Sequence, residues 1–305
     1  TMIDLKEYLT PRKDPQQSSL GYQYIYSGDS LDNTVDIADG YFPSHPRSVH
    51  IETLDGSDKV FANLDGKSLI KAFIDGGDKD DEISAASDGD ITIMGGNGND
   101  TIHIETRNVT DPSALQPPKI DLGRYVDGGA GDDFIFTNEQ YDNVTPYLCG
   151  PGDDVFSAGD LSSSVSAWGE EGQDFLTGSN KHDLLMGGSE DDTVEGSLGR
   201  DTIYGGSNND QLDGGRGKDY LNGGSGNDTI KSGRGSDIIH ISPGDDIIIR
   251  LNPFKDRIIV DNDLINSELQ YKNRKNGCFI KDDDQINTFF KKINSDQLMA
   301  IIEIV

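Results

Sequence analysis

The chain of 305 residues carries 55 acidic against 26 basic side chains, for a net charge of −29. Such a charge argues against nucleic acids and anionic membranes as partners, and it favours multivalent cations. Hydrophobic residues make up only 33 % and 37 residues are glycine, which indicates a narrow core rather than a broad globular one. No apolar run is long enough for a transmembrane helix, and Cys149 and Cys278 are predicted to stay thiols.

The segment 1–48 contains no repeat and is predicted to form an N-terminal cap over the open strand edge of a solenoid. Residues 49–83 then form a series of short predicted strands, separated by Asp-Gly turns that recur every ten residues. This spacing fits the half-winding of a β-solenoid, and it fits an antiparallel meander as well. The pattern alone leaves both arrangements open.

Between residues 76 and 157, units of nine residues occur singly, each with an aspartate in the sixth place and an apolar residue in the eighth. The aspartates of these units are Asp81, Asp100, Asp133 and Asp154. Residues 105–127 and 137–148 interrupt the units and are predicted to be projecting loops, where function often resides. We therefore predict an irregular β-solenoid with inserted loops over residues 49–168.

Residues 169–249 consist of nine consecutive units of nine residues. Glycines fill most of the first, second and fourth places, the eighth place is always aliphatic, and the sixth place is always aspartate. The sixth-place residues are Asp174, Asp183, Asp192, Asp201, Asp210, Asp219, Asp228, Asp237 and Asp246. The second half of each unit alternates like a strand, and the glycine-rich half must turn. Two consecutive units are therefore predicted to make one full winding.

Stacked windings place the sixth-place aspartates in two columns, one along each edge of the solenoid. Carboxylates about 5 Å apart repel by about 3 kcal/mol per pair at an effective dielectric constant near 20. A hard cation between successive carboxylates removes this repulsion, and the turns offer backbone carbonyl oxygens beside them. An all-oxygen site of this kind suits calcium better than magnesium, which demands octahedral geometry. The columns allow at most seven such sites in this region.

The units resemble the calcium-binding nonapeptide of RTX (repeats-in-toxin), or hemolysin-type, proteins, whose pattern is G-G-x-G-x-D-x-U-x. The segments 223–231 and 214–222 match it best, whereas Lys181, His182 and Glu190 depart from it. The resemblance implies a parallel β-roll, or β-solenoid, with calcium in its Gly-Asp-rich turns. It also implies a bacterial protein exported in one step by an ABC transporter, which is type I secretion, with folding triggered by extracellular calcium.

Residues 250–305 leave the repeat and are predicted to cap the C-terminal end of the core. The aliphatic segment 298–305 resembles the uncleaved C-terminal export signals of RTX proteins, and it fits a final core strand equally well. Residues 2–13 lack the apolar core of an N-terminal signal peptide. In an RTX-like protein this absence does not argue against secretion, so an extracellular location is expected.

No catalytic motif stands out, because the five histidines show no H-E-x-x-H spacing and no G-x-S-x-G occurs. The first hypothesis is a secreted, multiply calcium-bound binding or adhesion protein, or a toxin accessory, that recognises a cell surface, a polysaccharide or a protein. The alternative is a polysaccharide lyase or epimerase built on residues 1–168. Arg107, Lys119 and Arg124 would be its candidate basic residues.

Overall fold

The computed structural model describes residues 2–3, 10–12, 23–37, 48–64, 71–87, 90–105, 125–138, 146–159, 163–260, 270–274, 277–281, 287–291 and 302–304. All regular structure in these ranges is β-strand, and they contain no helix that could cross a lipid bilayer. The chain divides into two compact units, Thr1–Pro151 and Gly152–Val305. The four-part division drawn from the sequence stays a prediction.

The first unit is a two-sheet solenoid whose chain alternates between the sheets. Its strands are β1 (Met2–Ile3), β2 (Thr10–Arg12), β3 (Gln23–Ser27), β4 (Thr34–Ile37), β5 (Ser48–Glu52), β6 (Lys59–Asn63), β7 (Lys71–Asp78), β8 (Glu82–Ala86), β9 (Asp90–Asn97), β10 (Thr101–Glu105), β11 (Tyr125–Ala130), β12 (Phe134–Asn138) and β13 (Pro146–Pro151). One sheet has the order β1-β4-β6-β8-β10-β12, and the other has the order β2-β3-β5-β7-β9-β11-β13.

Strand pairing in this unit decides between the two arrangements that the Asp-Gly spacing left open. Strands β5, β7 and β9 pair in parallel, with Val49 opposite Ala72 and Ala72 opposite Ile91. Strands β4, β6 and β8 do the same in the other sheet. The described strands between residues 48 and 105 therefore form a parallel solenoid, and the antiparallel meander is wrong.

In the second unit, too, the chain alternates between two broad sheets. Its strands are β14 (Val155–Ser157), β15 (Ser166–Glu171), β16 (Phe175–Thr177), β17 (Leu184–Ser189), β18 (Thr193–Glu195), β19 (Leu198–Gly199), β20 (Thr202–Ser207), β21 (Gln211–Asp213), β22 (Arg216–Gly217), β23 (Tyr220–Ser225), β24 (Thr229–Lys231), β25 (Arg234–Gly235), β26 (Ile238–Ile241), β27 (Ile247–Ile249), β28 (Arg257–Val260), β29 (Gln270–Arg274), β30 (Gly277–Lys281), β31 (Asn287–Lys291) and β32 (Ile302–Ile304).

Three sheets organise the second unit. The two broad ones have the orders β14-β16-β18-β21-β24-β27-β31-β30-β29 and β15-β17-β20-β23-β26-β28-β32, and a narrow third one has the order β19-β22-β25. Partners in the parallel ladders of the repeat come from alternate units, as in Leu184 with Thr202 and Thr202 with Tyr220. The predicted winding of two nine-residue units is therefore confirmed.

The core of the repeat is formed by the eighth-place aliphatic side chains. All of them are buried, and in each broad sheet they stack directly on one another, as Val194 does on Leu212 and Ile203 on Leu221. Because side chains alternate along a strand, the seventh and ninth places point away from this core. Each winding thus contributes only a few apolar side chains, which accounts for a folded chain with so little hydrophobic content.

The backbone at the fourth place of the unit can adopt a positive φ even when the residue is not glycine. Gly226 occupies this place with a φ of 139°, in the left-handed region that side chains disfavour. Glu190 and Asn208 adopt φ values of 81° and 78° at the same place. Asparagine tolerates this region better than most residues, whereas glutamate does so at some conformational cost. The turn geometry is therefore kept at Glu190 and Asn208, where the consensus glycine is missing.

Each unit contains antiparallel strands at one end of its parallel stack. Strand β2 pairs antiparallel with β3 in the first unit, and β29, β30 and β31 form an antiparallel group beside β27 in the second. Such strands end a parallel stack by changing the edge offered to further strands. Strand β32 pairs in parallel with β28, so the aliphatic segment near the C-terminus includes a strand of the sheet.

Replacement of Ile203 by alanine tests the narrow core. Ile203 is fully buried in the eighth place, so Ile203→Ala should lower the free energy of unfolding by about 2–5 kcal/mol. Urea denaturation in saturating calcium measures the change. Thr202→Ala, at the neighbouring outward-facing place, should change this free energy by only about 0.5 kcal/mol. Equal effects of the two substitutions would contradict this core.

Candidate metal centre

The sixth-place aspartates are buried and stacked in columns along the turns. The first unit has one column, and the second unit has one on each edge. In the order of the windings, the column of the first unit consists of Asp58, Asp81, Asp100 and Asp133. One column of the second unit consists of Asp154, Asp174, Asp192, Asp210, Asp228 and Asp246. The other column of the second unit consists of Asp183, Asp201, Asp219, Asp237 and Asp256. The two predicted columns of residues 169–249 are therefore present.

One oxygen of each carboxylate holds the neighbouring winding. The backbone N–H of Asp192 donates to Oδ1 of Asp210 at 2.9 Å, and the N–H of Asp210 donates to Oδ1 of Asp228 at 2.9 Å. The same bond recurs along the other two columns, for example from Asp201 to Asp219 at 3.0 Å. Charge-assisted hydrogen bonds of this kind are stronger than neutral ones, so they offset part of the repulsion within a column.

The second carboxylate oxygen has a different environment. In ten aspartates of the described residues, Oδ2 is buried and accepts no hydrogen bond: Asp58, Asp81, Asp100, Asp174, Asp192, Asp201, Asp210, Asp219, Asp228 and Asp237. A buried charged oxygen without a partner is costly in a protein interior. The turns therefore hold a row of oxygens whose charge the described residues leave uncompensated.

A backbone carbonyl oxygen lies close to seven of these carboxylate oxygens, those of Asp81, Asp100, Asp174, Asp192, Asp201, Asp210 and Asp219. A β-carbon placed on Gly196, in the first place of its unit, would lie 2.7 Å from Oδ2 of Asp201 and 3.1 Å from the carbonyl oxygen of Gly214 in the next winding. At Gly205 the equivalent atoms, Oδ2 of Asp210 and the carbonyl oxygen of Gly223, are closer still. First-place glycine thus leaves a cradle lined by two kinds of oxygen.

Burial raises the pKa of eleven column aspartates far above the ordinary value of 3.8. The pKa is highest, about 8, at Asp100, Asp201 and Asp210. Loss of solvent is the main cause; the backbone hydrogen bond lowers the pKa, and the column neighbours raise it. The pKa is about 7 at Asp81, Asp133, Asp192 and Asp237, and about 6 at Asp174, Asp183, Asp219 and Asp228. The columns therefore favour a proton or a cation at neutral pH.

The donor set indicates which cation fits. In the described ranges no group of three or more His, Cys, Asp or Glu side chains is placed to hold a metal ion. The arrangement instead offers a single carboxylate from each turn together with backbone carbonyl oxygens. Zinc and similar ions prefer nitrogen or sulfur ligands, whereas calcium accepts carboxylate and carbonyl oxygens in flexible geometry. The orphaned Oδ2 atoms and the glycine cradles are thus suited to calcium.

The ends of the column that runs from Asp183 to Asp256 differ from its interior. Oδ2 of Asp183 accepts hydrogen bonds from the backbone N–H of Ser179 at 2.6 Å and from its hydroxyl at 3.1 Å. Oδ2 of Asp256 accepts from the N–H of Asn252 at 2.6 Å and from the hydroxyl of Ser232 at 3.3 Å. The protein itself therefore satisfies both carboxylates, and the predicted metal-ligand role of Asp183 stays a prediction.

Three column members were not predicted from the sequence, namely Asn33, Asp58 and Asp256. Asp58 has the sixth-place signature, since Gly56 precedes it and Val60 follows in the eighth place. Asn33 donates its N–H to Oδ1 of Asp58 at 2.5 Å and begins the column without a charge. Asp256 lies one residue out of the nine-residue phase. A search for the spacing D-x-U without glycines would have found all but Asn33.

Other predicted features lie outside the described residues. Arg107, Lys119 and Arg124 fall there, together with most of the two interrupting loops at 105–127 and 137–148. The polysaccharide lyase or epimerase alternative therefore stays a prediction without structural support.

A comparison with known protein families finds a match in the same segments of the chain. The RTX calcium-binding nonapeptide repeat matches in four copies, at residues 125–144, 168–203, 186–221 and 213–248. Repeats of this kind bind calcium, several ions across successive repeats. No curated protein matches the chain. The matched segments include most of the regular repeat and one single unit, where the carboxylate columns and glycine cradles are found.

Alanine in a cradle tests its role. Gly196→Ala should raise the calcium concentration needed for half-maximal folding about tenfold, because the added methyl group displaces Oδ2 of Asp201 from the carbonyl oxygen of Gly214. Circular dichroism during a calcium titration gives this concentration. Ser207→Ala, outside any cradle, should leave it unchanged. A Gly196→Ala protein that responds to calcium like the parent would contradict this assignment.

Acidification tests the raised pKa values. Between the unfolded pKa of about 3.8 and the folded values of about 6 to 8, the folded state holds more protons, so its stability without calcium falls as pH rises. In chelator, β-structure should therefore be greater at pH 5 than at pH 8. Far-UV circular dichroism measures it, with light scattering as the control for aggregation. More β-structure at pH 8 than at pH 5 would exclude this linkage.

Proposed function

Because this chain is an RTX-type protein that carries calcium-binding nonapeptide repeats, we propose that it is a secreted protein that folds on binding several calcium ions. In the folded state it acts as a binding or adhesion module for a cell surface, a polysaccharide or a protein. The observation that carries the calcium part is the row of buried Oδ2 atoms facing backbone carbonyl oxygens.

The ligands that we propose are the sixth-place aspartates of the three columns. Those in the column interiors, such as Asp201 and Asp210, are supported best, because Oδ2 is buried beside a cradle and accepts no hydrogen bond. Asp58 also has a buried Oδ2, but Thr53 rather than glycine fills the first place of its unit, so its support comes from burial without a glycine cradle. Backbone carbonyl oxygens of the first-place residues complete the oxygen set. Each carboxylate then has one oxygen for the neighbouring winding and one for the ion.

Coupling of calcium to folding supports the proposed secretion. The oxygens of a site come from successive windings, so a site exists only once two windings have stacked. Calcium binding free energy then becomes folding free energy. A chain of this kind stays unfolded until it meets calcium, which suits export in an unfolded state. Proteins with these repeats are typically secreted by bacteria.

A calcium titration of the chain and of Asp210→Asn tests the proposal. With chelator the parent should be largely unfolded, and calcium should induce β-structure in a cooperative transition. Asparagine keeps the Oδ1 acceptor for Asp192 but loses the charge, so Asp210→Asn should need about tenfold more calcium. Without calcium the same variant should be more stable than the parent, because one carboxylate of raised pKa is gone.

Asp191→Asn is the matched control. Asp191 lies in the fifth place, is exposed, and accepts the N–H of Asn209, while asparagine already fills that place in neighbouring units. Its replacement should shift neither the calcium dependence nor the metal-free stability by more than about twofold. Circular dichroism that calcium leaves unchanged would overturn the proposal. Equal shifts for the two variants would remove Asp210 from the site.

A further inference from the structure

The two edges of the repeat carry opposite charges outside the aspartate columns. We define the first edge as the turns 169–174, 187–192, 205–210, 223–228 and 241–246, and the second edge as the turns 178–183, 196–201, 214–219, 232–237 and 250–256. The first-edge turns contain no lysine or arginine. The second-edge turns contain seven, all exposed: Lys181, Arg200, Arg216, Lys218, Arg234, Arg250 and Lys255. Their only acids are the buried column aspartates.

A groove on the second edge concentrates these cations. It encloses about 280 Å³, and Arg216, Arg234, Arg250 and Lys231 line it together with one acid, Asp213. Lys231 pairs with Asp213. Within the described part of the chain, none of the three arginines takes part in an ion pair. Three guanidinium groups therefore face one groove without a protein counter-ion.

The fold forces these like charges together. Arg216 and Arg234 are register partners in the narrow third sheet, where the N–H of Arg216 bonds to the carbonyl of Ser197 at 2.9 Å and that of Arg234 to Gly215 at 2.8 Å. Partners in adjacent strands lie about 4.8 Å apart. Arg250 follows Ile249, the last residue of the repeat, with a φ of 61°. Successive windings thus present arginines in a row whose mutual repulsion an anion would relieve.

We propose that the second-edge groove binds a linear acidic polysaccharide, whose carboxylate or sulfate groups pair with Arg216, Arg234 and Arg250. Guanidinium groups bind such oxyanions in bidentate geometry, and a row of them at strand spacing suits a polymer with regularly repeated charges. Nucleic acids and anionic membranes gain affinity from many phosphate contacts over a larger surface, which one groove with three arginines does not provide. The acidic first edge confines the polymer to one side.

This inference rests on the proposed function for the calcium-bound state. Each ion held by the column of Asp201, Asp219 and Asp237 adds two positive charges beneath the same edge. Calcium should therefore strengthen polysaccharide binding as well as fold the repeat.

Binding of immobilised polymers by the full chain tests the groove. The probes are hyaluronan, which carries carboxylate alone, and dextran sulfate, which carries sulfate alone, with neutral dextran as the blank. In calcium, the parent should bind one or both acidic polymers and Arg216→Gln/Arg234→Gln should bind about tenfold or more weakly. Lys59→Gln/Lys71→Gln removes two positive charges from the first unit and should bind like the parent.

Further measurements on the same proteins distinguish a failure of the groove proposal from a failure of the calcium proposal. Circular dichroism of the same samples reports whether calcium folds each protein. A folded parent that binds neither polymer, or an arginine variant that binds like the parent, overturns the groove while the calcium proposal stands. Tighter binding to single-stranded DNA or to phosphatidylserine vesicles than to both polysaccharides overturns the choice of polymer. If calcium induces no folding, the calcium proposal fails, and arginine-dependent polymer binding without calcium would still support the groove.

Discussion

The hydrogen bond from the backbone N–H of each column aspartate to Oδ1 of the next is the interaction on which the rest of the repeat depends. It ties windings together at the turns, where the strand ladders end. It also fixes the orientation of the carboxylate, since one oxygen is held by the backbone and the other must face the first-place glycine. A metal-binding oxygen is thereby preorganised by a bond that is itself structural.

The different roles of the two carboxylate oxygens explain how the negative charge within a column is compensated. Burial raises the pKa of the column aspartates most, the repulsion within a column raises it further, and the backbone donors offset part of both effects. At the ends of the second-edge column, Ser179 and Asn252 supply the missing donors from their own turns. This column therefore closes with hydrogen bonds at its ends and leaves its interior to a cation.

The two-unit period of the winding has a second consequence, on the outside of the turns. Any residue type that recurs in alternate units is brought into a row along one edge. Arginine in the third place of alternate units does so on the second edge, and acids accumulate on the first. A strongly acidic chain can in this way present a basic strip, because winding sorts its few cations onto one side.

Sequence periodicity by itself determined the winding, the inward place of the aliphatic side chains and the columns of aspartate, because a fixed phase repeats one local geometry. Three features of the molecule could be established only from the tertiary structure. It decided that the described strands between residues 48 and 105 pair in parallel, since an Asp-Gly spacing does not encode the direction of pairing. It added Asn33, Asp58 and Asp256 to the columns, because stacking tolerates windings of unequal length that break a sequence period. It also separated the two carboxylate oxygens and gathered Arg216, Arg234 and Arg250 at one groove, since contacts between windings depend on distances that no single unit contains.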